Sequence, residues 1–392
     1  RWPASNFLGQ MMSAHEVPKR VMHVCLSESW GGLEMYPGRV TPEFQRQGWE
    51  VHGIALEGSR VAESFRSAGV EPLAFRSQVA ALFSVFSVLD YLKRHDIRVM
   101  HAHKSSDMRL GALLVSLWPD LRLFFTDHMG VKKPKKDLYH RWAYSKLQRL
   151  FSISQATYKT NLTAFPLPAD RIMQLYCGID LTDYAERLSV TDRSELRRAL
   201  GVPTDVIAIA LPGRIDEAKG HKVWVEALAQ LKSRADLPSW CGVIIGEAGE
   251  EAAKPGGFLD QLKAQVDLLG LTENILFAGF RSDLARCLQA MDVVCIPSVN
   301  EAFGLSVIEA MAAGCPVVGS ASGAIPELIS PNRGRTAPPD YPDIWAGAIE
   351  ELISDEPLRA RLGSSASVWA HERFGIDRHV RALTEAYSQS EL

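Results

Sequence analysis

The sequence predicts an α/β protein made of two doubly wound, Rossmann-like domains that face a cleft. Three observations predict it. Short apolar runs rich in β-formers alternate with helix-period segments from Arg20 onward, the alternation stops at a charged stretch over residues 182–203, and it then begins again. Strands separated by helices imply βαβ units and a parallel sheet covered on both faces. In the first half the strands fall at residues 21–26, 51–56, 72–75, 97–102, 122–126, 150–153 and 170–175, with helical periods at 84–95, 108–117 and 138–147. In the second half they fall at 206–211, 242–246, 275–278, 292–297 and 315–319, separated by helical periods at 222–232, 258–269, 283–291 and 306–313. The charged stretch, with the run Asp192-Arg193-Ser194-Glu195-Leu196-Arg197-Arg198, reads as a helix and linker between the two. The expected domains are therefore 18–186 and 187–370, followed by a terminal segment, 371–392, with a helical pattern at 377–387.

Composition narrows the function classes. The chain has 392 residues, 46% of them hydrophobic, enough for two cores and too apolar for disorder. Lys plus Arg number 43 against 46 Asp plus Glu, a net charge of −3, which excludes a protein that coats nucleic acid. The six cysteines are scattered and form no C-x-x-C pair, so neither a disulfide framework nor a zinc site is expected. Cys25, Cys241, Cys295 and Cys315 lie in or beside apolar runs, where a free thiol behaves as a small hydrophobe. The most apolar stretches, 80–92 and 110–118, are shorter than the roughly 20 residues a spanning helix needs. The first eleven residues have no long apolar core, so they read as a tail with Met12 as a natural start, and a cytoplasmic location is expected. The sequon at Asn161 lies within a helical pattern and is discounted.

The most informative segment runs from Ser298 to Val318: strand end, loop, helix, glycine stop, next strand. Glu301 lies in the loop and Glu309 more than a turn into the helix, where side chains lean back toward the N-terminus. Both can face one ligand. Between them the amides of Phe303, Gly304 and Leu305 form an open helix start, which binds phosphate through free N–H groups and the positive dipole end. A phosphate flanked by carboxylates that accept sugar hydroxyls describes a nucleotide-sugar site. The competing reading is an acid that favours the helix dipole plus a surface glutamate.

This segment resembles the E-x7-E signature of the retaining GT-B glycosyltransferases, family 4. Leu211-Pro212-Gly213-Arg214 with Lys219-Gly220 resembles the family's "G-R…K-G" element, and Gly323-Ala324-Ile325-Pro326-Glu327 its "G-x-x-E" turn. Trp30-Gly31-Gly32-Leu33-Glu34 resembles the "G-G-x-E" loop, although Pro37-Gly38 and Pro42 are expected to interrupt the helix that follows. His101-Ala102-His103 resembles "H-x-H", Thr126-Asp127-His128 resembles "T-x-H", and Tyr176-Cys177-Gly178-Ile179-Asp180 resembles "N-G-I-D" with Cys177 in place of Asn.

The resemblance implies a retaining transferase that takes a nucleoside-diphosphate sugar, with uridine taken first as the base. It places Glu309 on the ribose, Arg214 and Lys219 on the diphosphate, and Glu301 with the amides of Phe303, Gly304 and Leu305 on the sugar and phosphate. Gly31 and Gly32 approach the donor from the first domain, His128 meets the transferred sugar, and the terminal helix of segment 371–392 crosses back onto the first domain. Fixed cations beside a leaving diphosphate stabilise the charge that develops on it. Asp127 beside His128 either orients the imidazole or faces water. No D-x-D occurs, so neither metal nor other cofactor is implied. For His101 and His103 a structural role is favoured.

Lys132, Lys133, Lys135, Lys136 and Arg141, interleaved with Tyr139, Trp142 and Tyr144, concentrate positive charge in a near-neutral chain. They suit an anionic inner-leaflet surface or a glycan or glycolipid acceptor, such as a lipopolysaccharide core or lipid-linked glycan, as well as they suit a solvated helix face. An epimerase or hydrolase of the same fold, which needs its own acid and base, and a non-catalytic sugar-nucleotide-binding subunit are the alternatives. A dehydrogenase is disfavoured because no G-x-G-x-x-G follows either first strand.

Overall fold

The computed structural model describes residues 19–131 and 133–389; the tail with Met12, Lys132 and residues 390–392 lie outside the described residues. The two-domain fold expected from the sequence is present. One sheet holds β1 (Arg20–Cys25), β2 (Glu50–Leu56), β3 (Leu73–Phe75), β4 (Val99–Ala102), β5 (Arg122–Asp127), β6 (Leu147–Ser152) and β7 (Ile172–Gln174) in the order β3-β2-β1-β4-β5-β6-β7. The other holds β8 (Ile207–Pro212), β9 (Trp240–Ile245), β10 (Ile275–Gly279), β11 (Val293–Ile296), β12 (Val317–Ser320) and β13 (Gly334–Ala337) in the order β10-β9-β8-β11-β12-β13. All pairings within these sheets are parallel. Their central strands β1, β4, β8 and β11 are buried along nearly their whole length, as helices on both faces require. The strand order reverses between β1 and β4 and between β8 and β11, and ligands in such sheets gather at the carboxyl ends beside that reversal. The strand not expected from the sequence, β13, is a short edge strand of Gly, Arg, Thr and Ala with no apolar run to announce it.

One expectation is corrected. The helix Gly32–Arg46 runs unbroken through Pro37 and Pro42. Each proline removes a backbone donor, but the buried face carrying Tyr36, Val40 and Phe44 holds the helix against the sheet. Gly38 lets the helix approach its neighbour so closely that a Cβ there would stand 2.6 Å from Ser64 Oγ. The charged run at 192–198 is helical, as the sequence predicts, and one of its charges is buried. It forms helix Val190–Ala199, and Arg197, 3% exposed, donates to the carbonyls of Ala290 (2.8 Å) and Val206 (3.0 Å) and to the Asp292 carboxylate (2.5 Å).

Several contacts join the halves. Ile179 pairs with Gly375 as an isolated parallel bridge, its N–H donating to Phe374 O and its carbonyl accepting from Ile376 N. Gly178 permits this approach, since a Cβ there would lie 2.7 Å from Ile376 Cα. The helix Ile376–Ser388 then packs on helix Gly32–Arg46, with Tyr387 stacked on Phe44 and edge-on to Trp49. Glu327 of the second half accepts hydrogen bonds from Gln155 N (2.8 Å) and Ala156 N (2.6 Å), placing its charge at the positive end of helix Gln155–Ala164. All six cysteines are free and buried, and Asn161 of the discounted sequon is buried against Ser152. Among the described residues no helix is long and apolar enough to cross a membrane.

Arg197 and Arg193 pair with the same carboxylate from opposite degrees of burial. Arg197→Ala removes the buried donor shared by the half-buried Asp292 carboxylate and the carbonyls of Ala290 and Val206, leaving Asp292 with Arg193 and the Ala208 amide, and is expected to lower stability by about 3 kcal/mol. Arg193→Ala removes an exposed partner and is expected to cost less than about 1 kcal/mol. Urea unfolding of the two variants measures the difference.

Candidate active site

The second sheet builds its half of the cleft at the ends of β8 and β11. Beyond β8 the chain turns through Gly213 (φ +133°) into Arg214, which is 56% exposed and stands 3.7 Å from Asp216. A short 3-10 turn, Glu217–Lys219, follows and ends at Gly220 (φ +72°). A Cβ on Gly220 would lie 2.2 Å from Pro297 O, so glycine is what lets this turn rest on the end of β11. Val299 N donates to Ala218 O at 2.8 Å and completes the junction. The outcome is that Lys219 Nζ and Glu301 Oε1, far apart in sequence, form an ion pair.

The Glu301 loop is shaped from behind by the turn at Gly323 (φ +62°), whose Cβ would stand 2.4 Å from Glu301 O. Ala324 N donates to that same carbonyl at 2.9 Å, while Ser322 Oγ bonds to Asn300, itself left-handed at φ +55°. Gly304 (φ +105°) then opens helix Leu305–Ala312 with no side-chain cap, leaving its first amides unengaged by a capping group. Phe303 is buried and stacks on Tyr176, so its side chain anchors the loop and only its backbone is available to a ligand. Glu309 lies half-buried further along the helix; burial raises its carboxyl and the nearby Arg39 guanidinium opposes that.

The first sheet supplies the facing wall. Gly31 precedes helix Gly32–Arg46, and a Cβ on Gly32 would lie 3.8 Å from Leu305 Cδ1, which brings the two-glycine loop against the start of the second domain's helix. His128, at the end of β5, accepts or donates through Nε2 to His103 Nδ1 at 3.2 Å. His103 in turn bonds through Nε2 to His23 Nδ1 at 2.9 Å. His101 is separate, bonded to Thr126 Oγ1 (2.8 Å) and the Tyr387 hydroxyl, a structural role. Tyr36 stacks obliquely on His128 and bonds to His379 of the terminal helix. Asp127 does not touch His128: its carboxylate accepts from Met129 N (3.3 Å) and Gly130 N (3.1 Å) and shapes the turn after β5. Cys177 is buried, and its thiol is pushed up to about 12 by burial.

Arg39, Tyr36, His23 and His379 belong to this wall and carry no sequence signal of their own. Arg39 has no ion-pair partner among the described residues, and its charge is felt at both Glu309 and His128. His23 meets His101 in register across β1 and β4, a neighbourhood that appears only when the strand order is known. Of the basic cluster, Lys133, Lys136 and Arg141 are exposed and Lys135 half-buried, around helix Leu138–Ser145; Lys132 lies outside the described residues. Among the described residues one group, His23, His101 and His103, brings metal-ligating atoms within 4.8 Å of one another. A metal there would have to displace the hydrogen bonds that already occupy both nitrogens of His101 and of His103, so these residues do not fit a metal as they stand.

Burial lowers this whole set of imidazoles: His23 and His128 to about 3, His379 to about 4, and His101 and His103 well below their usual range. Unfolded histidine titrates near 6.5, so between those values the unfolded chain binds more protons than the folded one. Their contribution to stability is complete above about pH 6.5 and is lost as pH falls. Asp107, raised to about 7, and Glu309 act in the opposite direction, because the folded state holds their protons longer, but they are fewer. The melting temperature is therefore expected to fall from about pH 7 to about pH 5. Scanning calorimetry across that range checks it, and a flat or rising profile contradicts it.

The family described as Glycosyltransferase Family 4 matches residues 30–183, and the family described as Glycosyl transferases group 1 matches residues 192–369. A D-inositol 3-phosphate glycosyltransferase of Corynebacterium glutamicum is 27% identical over 368 residues, covering 86% of each chain. The crystal structure of Anabaena Alr3699/HepE in complex with UDP superposes with a TM-score of 0.82 at 22% identity, over 94% of this chain and 99% of that one. A glycosyltransferase from Rickettsia africae gives 0.84 at 20%, over 94% and 98%. At those identities the structural likeness is one of fold. The two matched families divide the chain between its two sheets, and the chain belongs to the group 1, family 4 glycosyltransferases of GT-B fold.

Proposed function

We propose that this glycosyltransferase moves a sugar from a nucleoside-diphosphate sugar, uridine being the first base to test, to a cell-envelope saccharide or lipid-linked acceptor, with retention at the anomeric carbon. The observation that carries the donor assignment is the Lys219–Glu301 pair beside the uncapped start of helix Leu305–Ala312, faced by Gly32. A diphosphate arriving at this helix end meets free amides, the dipole and a lysine that is already anchored. Lys219 and Arg214 then take the charge that grows on the leaving diphosphate as the glycosidic bond opens. Glu301, once Lys219 turns to phosphate, accepts sugar hydroxyls, and Glu309 accepts the ribose hydroxyls. His128 bonds to the transferred sugar from the first domain. Same-face attack assisted by the leaving phosphate needs no enzymic nucleophile, which agrees with a site rich in hydrogen-bonding groups. The Anabaena protein of like fold has also been solved in complex with UDP-glucose, which supports a nucleotide-sugar donor.

Lys219→Ala and Glu301→Ala are each expected to lower kcat/KM by roughly 100- to 1,000-fold while leaving the chain folded. A donor–acceptor assay over uridine, guanosine and adenosine diphosphate sugars measures it, with product anomers read by NMR. Unchanged turnover in both variants, or an inverted product, contradicts the proposal.

For the acceptor, the supporting observation is a mixed basic and apolar surface on the first domain. Helices Gln78–Phe83, Val85–Arg94, Met108–Leu117 and Leu138–Ser145 pack beside one another. They expose Phe83 (87%), Phe86 (70%) and Leu138 (86%), and in the last of these helices the exposed Tyr139 and Trp142 flank Arg141 and follow Lys133, Lys135 and Lys136 in the chain. Exposed aromatics flanked by basic residues suit the interface of an anionic bilayer, which favours a lipid-linked acceptor. Replacing the lysines at 132, 133, 135 and 136 by serine is expected to abolish sedimentation with vesicles containing phosphatidylglycerol and leave turnover of a soluble acceptor intact. Unchanged sedimentation removes the membrane from the proposal.

A second acceptor is favoured by one observation, the unpaired Arg39 guanidinium on the cleft wall, which suits a small phosphorylated polyol of the kind named for the Corynebacterium relative. Transfer to inositol phosphate without vesicles would select it.

A further inference from the structure

The hydrogen bonds His23 Nδ1···His103 Nε2 (2.9 Å) and His103 Nδ1···His128 Nε2 (3.2 Å) place three imidazoles in series, from the sheet interior to the cleft. His23 and His103 are buried, and His128 is half-buried. Burial keeps all three neutral at physiological pH. A neutral imidazole has one N–H and one lone pair, so each link holds one proton and the direction of one link dictates the direction of the other. Two arrangements exist. In the first, His23 Nε2 carries a proton and His128 offers a bare Nδ1 to the cleft. In the second, every ring carries its proton on Nδ1, and His128 offers an N–H.

The two differ in what they leave inside the protein. His23 Nε2 is buried and has no hydrogen-bond partner among the described residues. The first arrangement strands an N–H there, and the second strands a lone pair. Orphaned buried N–H groups are the rarer and costlier of the two. At the other end, His128 Nδ1 has no partner among the described residues and sits on a half-open ring, where solvent or ligand satisfies either form. The buried end therefore decides. The other groups around the series do not reverse this: His101 is committed to Thr126 and Tyr387, the Tyr36 hydroxyl to His379, and Arg39 contributes a nearby positive charge that favours the neutral rings.

We infer that His23 and His103 are positioning residues, forming with His128 a one-way relay in which all three protons sit on Nδ1, so that His128 meets its ligand as a hydrogen-bond donor. This rests on the reading that His128 touches the transferred sugar. It specifies the chemistry of that contact: an accepting oxygen on the sugar or its phosphate faces Nδ1–H. It also reverses the Nε2–H form that neutral histidine favours in water.

Long-range nitrogen-15 correlation spectra of the histidine-labelled full chain near neutral pH report each tautomer, with assignments from the signals lost in single variants. His23, His103 and His128 are expected in the Nδ1–H form. His103→Phe releases His128 Nε2 and is expected to return His128 to Nε2–H, lowering kcat by about 3- to 10-fold with little change in donor KM, the worth of one neutral hydrogen bond. His23→Phe moves the orphaned nitrogen to His103 Nε2 and is expected to leave His128 as Nδ1–H. A wild-type His128 in the Nε2–H form overturns the relay, and so does an Nδ1–H form that persists in His103→Phe. If the tautomers are as expected but His103→Phe turns over like the wild type, the relay stands and the placement of His128 on the sugar falls. The wild-type spectrum tests the relay even if a variant does not fold.

Discussion

Two parallel sheets can act on one ligand only if their carboxyl ends are fixed opposite each other, and the rest of the structure depends on how the chain achieves this. It crosses between the halves at Ile179 and returns at Gly375, and the two passes pair with each other as backbone. The returning helix Ile376–Ser388 then sinks Tyr387 among Phe44, Trp49 and Phe124 of the first domain. Because both crossings lie side by side, the halves share one hinge rather than a loose tether. Glu327 adds a contact away from that hinge, and it is electrostatic: a carboxylate against two amides at a helix start. Apolar burial thus secures the hinge, while a more water-sensitive contact joins the halves beyond it. Such a division suits a cleft that must admit a large donor and then exclude solvent.

Inside the cleft the charges are arranged in advance of the ligand. Lys219 is held by Glu301, and Arg39 offsets the burial that raises Glu309. Neither carboxylate is left as an isolated desolvated charge, which would be costly. In the proposed reaction a diphosphate sugar exchanges partners rather than creating new ones: phosphate takes the lysine, and sugar hydroxyls take the glutamate. The backbone glycines make this possible by geometry. Gly220 and Gly323 each permit an approach that any side chain would block, and together they bring Lys219 and Glu301 to the same point.

How much of this was legible in the sequence followed from how local each feature is. Central strands of a parallel sheet are continuous apolar runs, so twelve of the thirteen strands could be anticipated, whereas β13 is polar and owes its conformation to pairing with β12. The Glu301–Glu309 segment contains its own strand end, loop and helix start and could be read as a unit. The wall around His128 could not, because His23, Arg39, His103 and His379 come from separate elements that only the strand order and the returning helix bring together. Pro37 and Pro42 misled for a related reason. Local rules forbid them in a helix, and tertiary burial of Tyr36, Val40 and Phe44 outweighed those rules. Arg197 shows the same in reverse, since a charged run by pattern proved to be a buried clamp by partnership.

The buried histidines connect stability to chemistry. Placing five imidazoles among β1, β4, β5 and the returning helix gives the folded state a weakness to acid, because each must stay neutral where the unfolded chain would gladly bind a proton. A purely structural core would be served better by apolar side chains of similar volume. What imidazoles add, and apolar groups cannot, is a definite arrangement of donors and acceptors that reaches the cleft. That arrangement exists only while the accepting rings are neutral: a second proton on His103 or His128 turns its accepting Nε2 into a donor and breaks the link to its neighbour. The burial that makes the cluster acid-sensitive is therefore the same condition on which the proposed relay depends, in which His103 dictates the nitrogen through which His128 donates.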